Sequence, residues 1–139
     1  MPPDFTWMVG QRLDDAARQN FTWWFVLADG SSITTDAFWR LVTPNGIEAS
    51  ASDDGQTFGK HTSFDSITRA LEATKEKKIV GVRVAEHTSD LVLTFESDIR
   101  LDFLNLSSGY ESWRVQHGSQ DVICMGGGRL SIKSNEKQG

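Results

Sequence analysis

An ordered recurrence of short motifs constrains this chain more than any other feature. Val9-Gly10-Gln11-Arg12, Trp23-Trp24-Phe25-Val26-Leu27 and Trp39-Arg40-Leu41-Val42 follow one another in the first half. Val80-Gly81-Val82-Arg83, Leu91-Val92-Leu93-Thr94-Phe95 and Trp113-Arg114-Val115 follow in the same order in the second. The offsets are 71 at the Val-Gly pair, 68 at the middle run and 74 at the Trp-Arg pair, a drift that small insertions in turns would absorb. This order predicts two related halves, 8–59 and 79–132, sharing one core. The recurring runs alternate apolar and polar residues, which is the period of a strand, because successive side chains point to opposite faces. By the same match 9–12 reads as a strand. The stretch 13–20 has helical propensity, and the repeat tips it toward strand.

Turn residues punctuate these runs at Asp29-Gly30, Pro44-Asn45-Gly46, Asp54-Gly55, Ser97-Asp98, Ser108-Gly109 and His117-Gly118. Asn-Gly and Asp-Gly readily take the positive φ angles that tight hairpins need. One segment breaks the period of two. Phe64, Ile67, Ala70, Leu71 and Thr74 recur at helical spacing, predicting a helix over 63–75. Thr62 is the expected N-cap, with Asp65 as its capping-box partner. Lys75, Lys77 and Lys78 gather where a helix dipole favours cations. The expected fold is α+β: mostly antiparallel β, with two related β-meander halves joined by one α-helix in a single domain, 1–139. Residues 134–139 lack an apolar anchor and are expected to fray.

Composition narrows the function classes. The chain has 139 residues, 38% hydrophobic and 24% charged, which is a globular balance. Nineteen Asp and Glu against 14 Lys and Arg leave a net charge of −5. That argues against nucleic acid and favours a basic partner. The single cysteine, Cys124, rules out an internal disulfide and suits a reducing compartment. The longest apolar run, 23–28, is far too short to cross a bilayer as a helix. Met1-Pro2-Pro3-Asp4 has no basic flank before an apolar stretch, so no signal peptide is expected. The expected location is the cytoplasm, with no membrane partner.

Residues able to carry chemistry are few and scattered. His61, His87 and His117 lack metal-ligand spacing and read as solvated turn histidines. Cys124 sits in an apolar strand and reads as core. Gly126-Gly127-Gly128-Arg129 runs into an alternating strand rather than a helix, so it reads as a bulged hairpin turn and not a phosphate loop. Asp53 and Asp54 lie in a polar loop without the twelve-residue calcium pattern. That loop reads as an Asp-Gly turn with Phe58 tucked into the core. No metal and no cofactor is expected. An enzyme would need His117, Glu111 or Cys124 to converge in a cleft, and nothing in the sequence favours that. Trp23 and Trp24 must face opposite ways. Trp39 and Trp113 occupy matching places and read as core, with Arg40 and Arg114 opposite them, pairing with Asp36 and Glu111.

Trp39-Arg40-Leu41, Asp53-Asp54-Gly55-Gln56-x-Phe58-Gly59, Asp90-Leu91 leading to Phe95, Gly109-Tyr110-Glu111-Ser112-Trp113 and Gly126-Gly127-Gly128 together resemble a group of small uncharacterised bacterial proteins. The likeness spans about 9–132. Members of that group resemble the immunity proteins of bacterial polymorphic toxin systems. The resemblance implies a non-catalytic protein that neutralises a toxin by occlusion. The candidate contact residues are Asp53, Asp54, Asp98, Tyr110 and Glu111, in expected turns or strand ends, with Trp23 or Trp24 as an apolar anchor. The competing expectation is a small-ligand module, with a cleft between the halves lined by Trp39, Arg40, Trp113 and Arg114.

Overall fold

The computed structural model describes residues 3–134, whose eleven strands form two antiparallel sheets. The first sheet contains, in spatial order, β1 (Leu13–Gln19), β2 (Thr22–Leu27), β3 (Ser32–Thr35), β9 (Trp113–His117), β10 (Gln120–Cys124) and β11 (Leu130–Ser134). The second contains β5 (Gly46–Ser50), β4 (Phe38–Thr43), β8 (Ile99–Leu104), β7 (Leu91–Phe95) and β6 (Ile79–Val84). One helix, α1 (Ser66–Thr74), joins β5 to β6 and packs against β1 and β5. The fold is α+β and mostly antiparallel.

The halves do not form separate meanders. The first gives β1–β3 to one sheet, then crosses over and gives β4 and β5 to the other. The second gives β6–β8 to that other sheet, then crosses back with β9–β11. Shifting the numbering by five turns β1-β2-β3-β9-β10 into β6-β7-β8-β4-β5, so the two sheets have equivalent strand orders. Registers agree residue by residue. In one sheet Phe25 faces Ile33, Ile33 faces Val115 and Val115 faces Val122. In the other, Leu93 faces Leu101, Leu101 faces Leu41 and Leu41 faces Ala49. All eight are at most 1% exposed. A β-bulge lies between Leu13 and Asp15 in β1 and between Ile79 and Gly81 in β6, equivalent places in the two edge strands.

The inward rows meet face to face. Phe25 packs edge-on against both Trp39 and Phe103, at 5.1 and 5.0 Å between ring centroids, and Trp23 packs on Trp39 at 5.2 Å. Trp39 and Trp113 are core residues, as the alternation predicts. Burying each such large side chain contributes roughly 1.5–3 kcal/mol. In 13–19 only Leu13 and Ala16 are buried, and it is pairing with β2 that holds this segment as a strand despite its helical propensity.

Several local expectations are corrected. Residues 9–12 are not a strand equivalent to β6. They follow a 3-10 turn, Thr6–Met8, and cross the start of β6: Gly10 N–H donates to Ile79 O at 2.8 Å and Ile79 N–H to Gln11 O at 2.8 Å. The Val-Gly match was coincidental; Ala16 in β1 is the register equivalent of Val82, 66 residues on. The helix begins at Ser66 rather than 63. Asp65 is itself the N-cap, its carboxylate accepting Thr68 N–H at 2.9 Å, while Asp54 accepts Ser66 N–H at 2.9 Å. Carboxylates from two segments satisfy the start of the helix, and Thr62 is not needed. Ser134 ends β11, and the rest of the expected fraying tail lies outside the described residues. No helix among the described residues is long and apolar enough to cross a membrane.

Candidate functional site

Strand direction sorts the connecting segments into two ends. Arg18 pairs with Trp23, Trp23 with Thr35, Thr35 with Trp113, Trp39 with Phe103, and Phe103 with Leu91. Segments 20–21, 36–37, 51–65, 85–90, 105–112 and 125–129 therefore leave from one end of the sandwich. Segments 28–31, 44–45, 96–98 and 118–119 lie at the other. The first end gathers the exposed apolar rings. Phe21, Phe38, Phe58 and Tyr110 are there, with Leu106, and Tyr110 is 82% exposed. Phe58 is not tucked into the core. Its φ of 51° turns it outward, where it packs edge-on to Phe64 at 6.0 Å.

The two crossovers between sheets meet at this end. Residues 36–37 make one, and 105–112 make the other. Thr35 ties them together: its hydroxyl donates to Ser112 O at 2.7 Å and accepts Ala37 N–H at 2.9 Å. Between them lies an open cleft of about 730 Å³, lined by Asp36, Phe38, Asn105, Leu106, Tyr110 and Glu111 among others. Among the described residues no Lys, Arg or His lines it. Around the corner, Trp24, 41% exposed, shares a smaller hollow with Asp36, Glu111 and Arg114.

The long crossover is held by its neighbours. Asn105 N–H donates to the Asp90 carboxylate at 2.8 Å, and the Asn105 amide NH₂ to Thr88 O at 2.8 Å. Trp113 Nε1–H donates to Ser89 O at 2.8 Å. Gly127 N–H donates to Ser107 O at 2.8 Å, and Ser112 N–H to Cys124 O at 3.0 Å. Ser107 Oγ accepts Tyr110 N–H at 2.9 Å, fixing the turn that presents the ring. The Gly126-Gly127-Gly128 run is the close-packed base of this arrangement. A Cβ on Gly126 would lie 2.4–2.6 Å from the Gly109 backbone, and one on Gly128 would lie 2.3 Å from His87 O. The sequence reading of the glycines as a turn missed this role. The steric need for glycine exists only once two distant loops are brought together.

The remaining candidates disperse. Trp23 is 3% exposed, beneath the Arg18 guanidinium at 4.6 Å, so it cannot anchor a partner. Asp54 is engaged, pairing with Arg18 at 2.8 Å besides holding the helix start. Asp53 lies in the neighbouring 3-10 turn, Ala51–Asp53, at the cleft end. Asp98 lies at the opposite end, in the turn Glu96–Asp98. Trp39, Arg40, Trp113 and Arg114 do not share a cleft. Both tryptophans are 1% exposed, and the arginines lie on the outward faces of different sheets. Arg40 pairs with Asp102 at 2.8 Å and Arg114 with Asp121 at 2.6 Å, not with Asp36 and Glu111. The Arg114 hydrogen bonds hold the Asp121 carboxyl below the ordinary carboxylate range, against the effect of its burial.

His117, Glu111 and Cys124 do not converge. β9 separates Glu111 from His117, about 13 Å of strand for four residues. His117 is not a free turn histidine. Its ring stacks on Trp7 at 3.6 Å, and Nδ1 lies 2.7 Å from Ser31 Oγ and 3.4 Å from Asp29 Oδ2. Both neighbours share one ring nitrogen, whereas a Ser-His-Asp relay needs one on each. Burial pushes the Cys124 thiol up, opposite to what a nucleophile requires. Among the described residues no group of three His, Cys, Asp or Glu side chains is placed to hold a metal ion. No protein-family model, curated protein or solved structure matches the chain.

Proposed function

We propose that this chain is a non-catalytic protein-binding protein of the cytoplasm, neutralising a basic toxin domain by occlusion. One observation carries the reading: exposed Phe21, Phe38, Phe58, Leu106 and Tyr110 gather at a single end of the sandwich, and the segment bearing Leu106 and Tyr110 is braced by other loops. Aromatic side chains are enriched at protein interfaces and supply most of their hot spots. A braced loop loses little further freedom on binding, so less of the contact energy is spent on ordering it. The carboxylates of Asp36, Asp53 and Glu111 at the same end, on a chain of net charge −5, favour a positively charged partner and speed its approach.

The test is co-expression with the product of the adjacent reading frame. Co-purification and protection of host growth are expected, with both lost in Tyr110→Ala/Leu106→Ser and retained in Asp98→Asn. Absence of both binding and protection removes the reading. A small-ligand module is the second reading. It is favoured by the crossover cleft, whose volume falls in the range of ligand sites, and no longer by a gap between halves.

A further inference from the structure

We infer that Phe58 is the anchor of the partner contact, a ring held out on a strained turn to enter an apolar pocket of the partner protein. The assignment deepens the partner-binding reading above and rests on it. Lys60 N–H donates to Thr57 O at 2.8 Å, closing a reverse turn over 57–60. Both central residues have positive φ, 51° at Phe58 and 77° at Gly59. A turn of that hand takes Asn, Asp or Gly in the first central place and Gly in the second. Gly59 obeys this rule and Phe58 breaks it, because a bulky side chain at positive φ is strained. The other described non-glycine residues with positive φ are Asn20, Glu76, His87, Ser89, Ser97 and Asp98, all polar. Phe58 is the one apolar side chain placed so, and 61% of it lies in water. Two separate costs, strain and an exposed ring, therefore fall on one residue. The edge contact with Phe64 offsets part of them and leaves the ring uncovered. A local rule broken without a matching gain inside the fold marks a functional place.

The loop is built to hold the ring still. Gly55 N–H donates to Phe64 O at 2.8 Å and Phe64 N–H to Gln56 O at 2.7 Å, a short ladder beneath the turn. Asp54 ties its base to the helix start and to Arg18. A ring fixed in advance loses little freedom on binding. Residues 55–63 are exposed throughout, so the tip is convex and calls for a concave receptor. Gln56, Thr57 and Lys60 surround the ring with polar groups, the arrangement of an apolar centre and a polar rim. A net charge of −5 disfavours the anionic lipid surface that an exposed ring could otherwise enter, which leaves a protein pocket as the receptor.

Phe58→Asn puts the residue that the turn prefers in the same place, so fold and binding should respond with opposite signs. The melting temperature is expected to rise by about 2–4 °C. Binding to the product of the adjacent reading frame, followed by surface plasmon resonance, is expected to weaken at least about tenfold. The loss should fall on the dissociation rate, with association changed by less than about twofold, because ring contact holds a complex and charge steers its approach. Phe58→Leu, apolar and equally strained, is expected to lose less than Phe58→Asn, in the same order at low salt and at about tenfold higher salt. A melting temperature that does not rise shows that the fold itself needs the ring and overturns the assignment. Binding unchanged in Phe58→Asn but lost in Tyr110→Ala/Leu106→Ser overturns the anchor and leaves the partner reading standing. A wild-type chain that does not bind the adjacent product removes both. Self-association, or sedimentation with phosphatidylglycerol vesicles, that disappears in Phe58→Asn gives the ring to another partner and overturns the assignment too.

Discussion

The two crossovers that carry the chain between sheets are equivalent in the fold and unequal in length. The first is two residues, 36–37, and the second is eight, 105–112. The strands on either side obey the same registers, so the difference sits wholly in the link. Ile33 and Leu101, before the crossovers, are 68 residues apart, and Leu41 and Val115, after them, are 74 apart. The six extra residues supply Leu106, Tyr110 and Glu111, three of the cleft's walls. A core built from paired rows of alternating residues fixes strands tightly and leaves the links free, so one link can grow a binding loop without disturbing the packing.

The comparison is broken most severely through the equivalent tryptophans. Trp39→Ala and Trp113→Ala should each cost about 3–5 kcal/mol, because each empties a fully buried site. Phenylalanine at the same two places should separate them. Trp39 Nε1 has no hydrogen-bond partner among the described residues, whereas Trp113 Nε1 donates to Ser89 O, so Trp113→Phe should cost roughly 1–3 kcal/mol more than Trp39→Phe in urea unfolding. Equal losses would show that the long crossover is not braced through Ser89.

Gly126→Ala comes next. Its Cβ would press into the Gly109 backbone and cost about 1–3 kcal/mol, with weakened partner binding, since the strain falls on the long crossover. Gly118→Ala, at a φ of 56° in open space, is the control: it should cost stability through strain alone and leave binding unchanged. Removing 106–111 should leave two linking residues, as in the short crossover, with near-native circular dichroism and no partner binding. A collapse of the fold would mean that the extra residues stabilise the core as well.

The smallest effects are those of charge and pH. Asp121 and Glu48 lie on β10 and β5, equivalent strands of the two sheets, and both carboxyls are held below their ordinary range. In Asp121 the Arg114 hydrogen bonds are the leading cause; in Glu48 it is the Thr43 hydroxyl, followed by Arg69. A depressed folded pKa means stability that is present above the unfolded carboxyl range, near pH 4, and lost as pH falls through the folded value. Stability should therefore decline below about pH 4, and Asp121→Asn should shallow that decline when unfolding is followed from pH 5 to 2. Asp98→Asn, at the far end, should change stability by less than about 0.5 kcal/mol and leave binding alone.

Much of this was legible in the chain, and the failures are instructive. The alternation at 23, 25 and 27 and at 91, 93 and 95 identified inward faces, because burial acts on every second residue. Trp39 and Trp113 were matched correctly and the Val-Gly pair wrongly. Two large aromatics in register must both find core, whereas Val-Gly suits many extended or turning segments. The jump from 68 to 74 in the motif spacing already marked the insertion, but not that it fell in one link facing a shorter one. Tyr110 and Glu111 were found as loop residues. Asp98 was included on the same ground, and only strand direction separates the two ends.

By itself the sequence determined the strand content, the inward rows and the helix, because period, turn chemistry and size are local properties. The tertiary structure decided which half each strand joined. Alternation states which face is buried and not which edge is paired, so separate meanders and exchanged ones share one pattern. The same limit hid the site. Asp36, Asn105 and Tyr110 meet only because two links cross at one end, and Gly126 is required only because a loop from elsewhere in the chain lies against it.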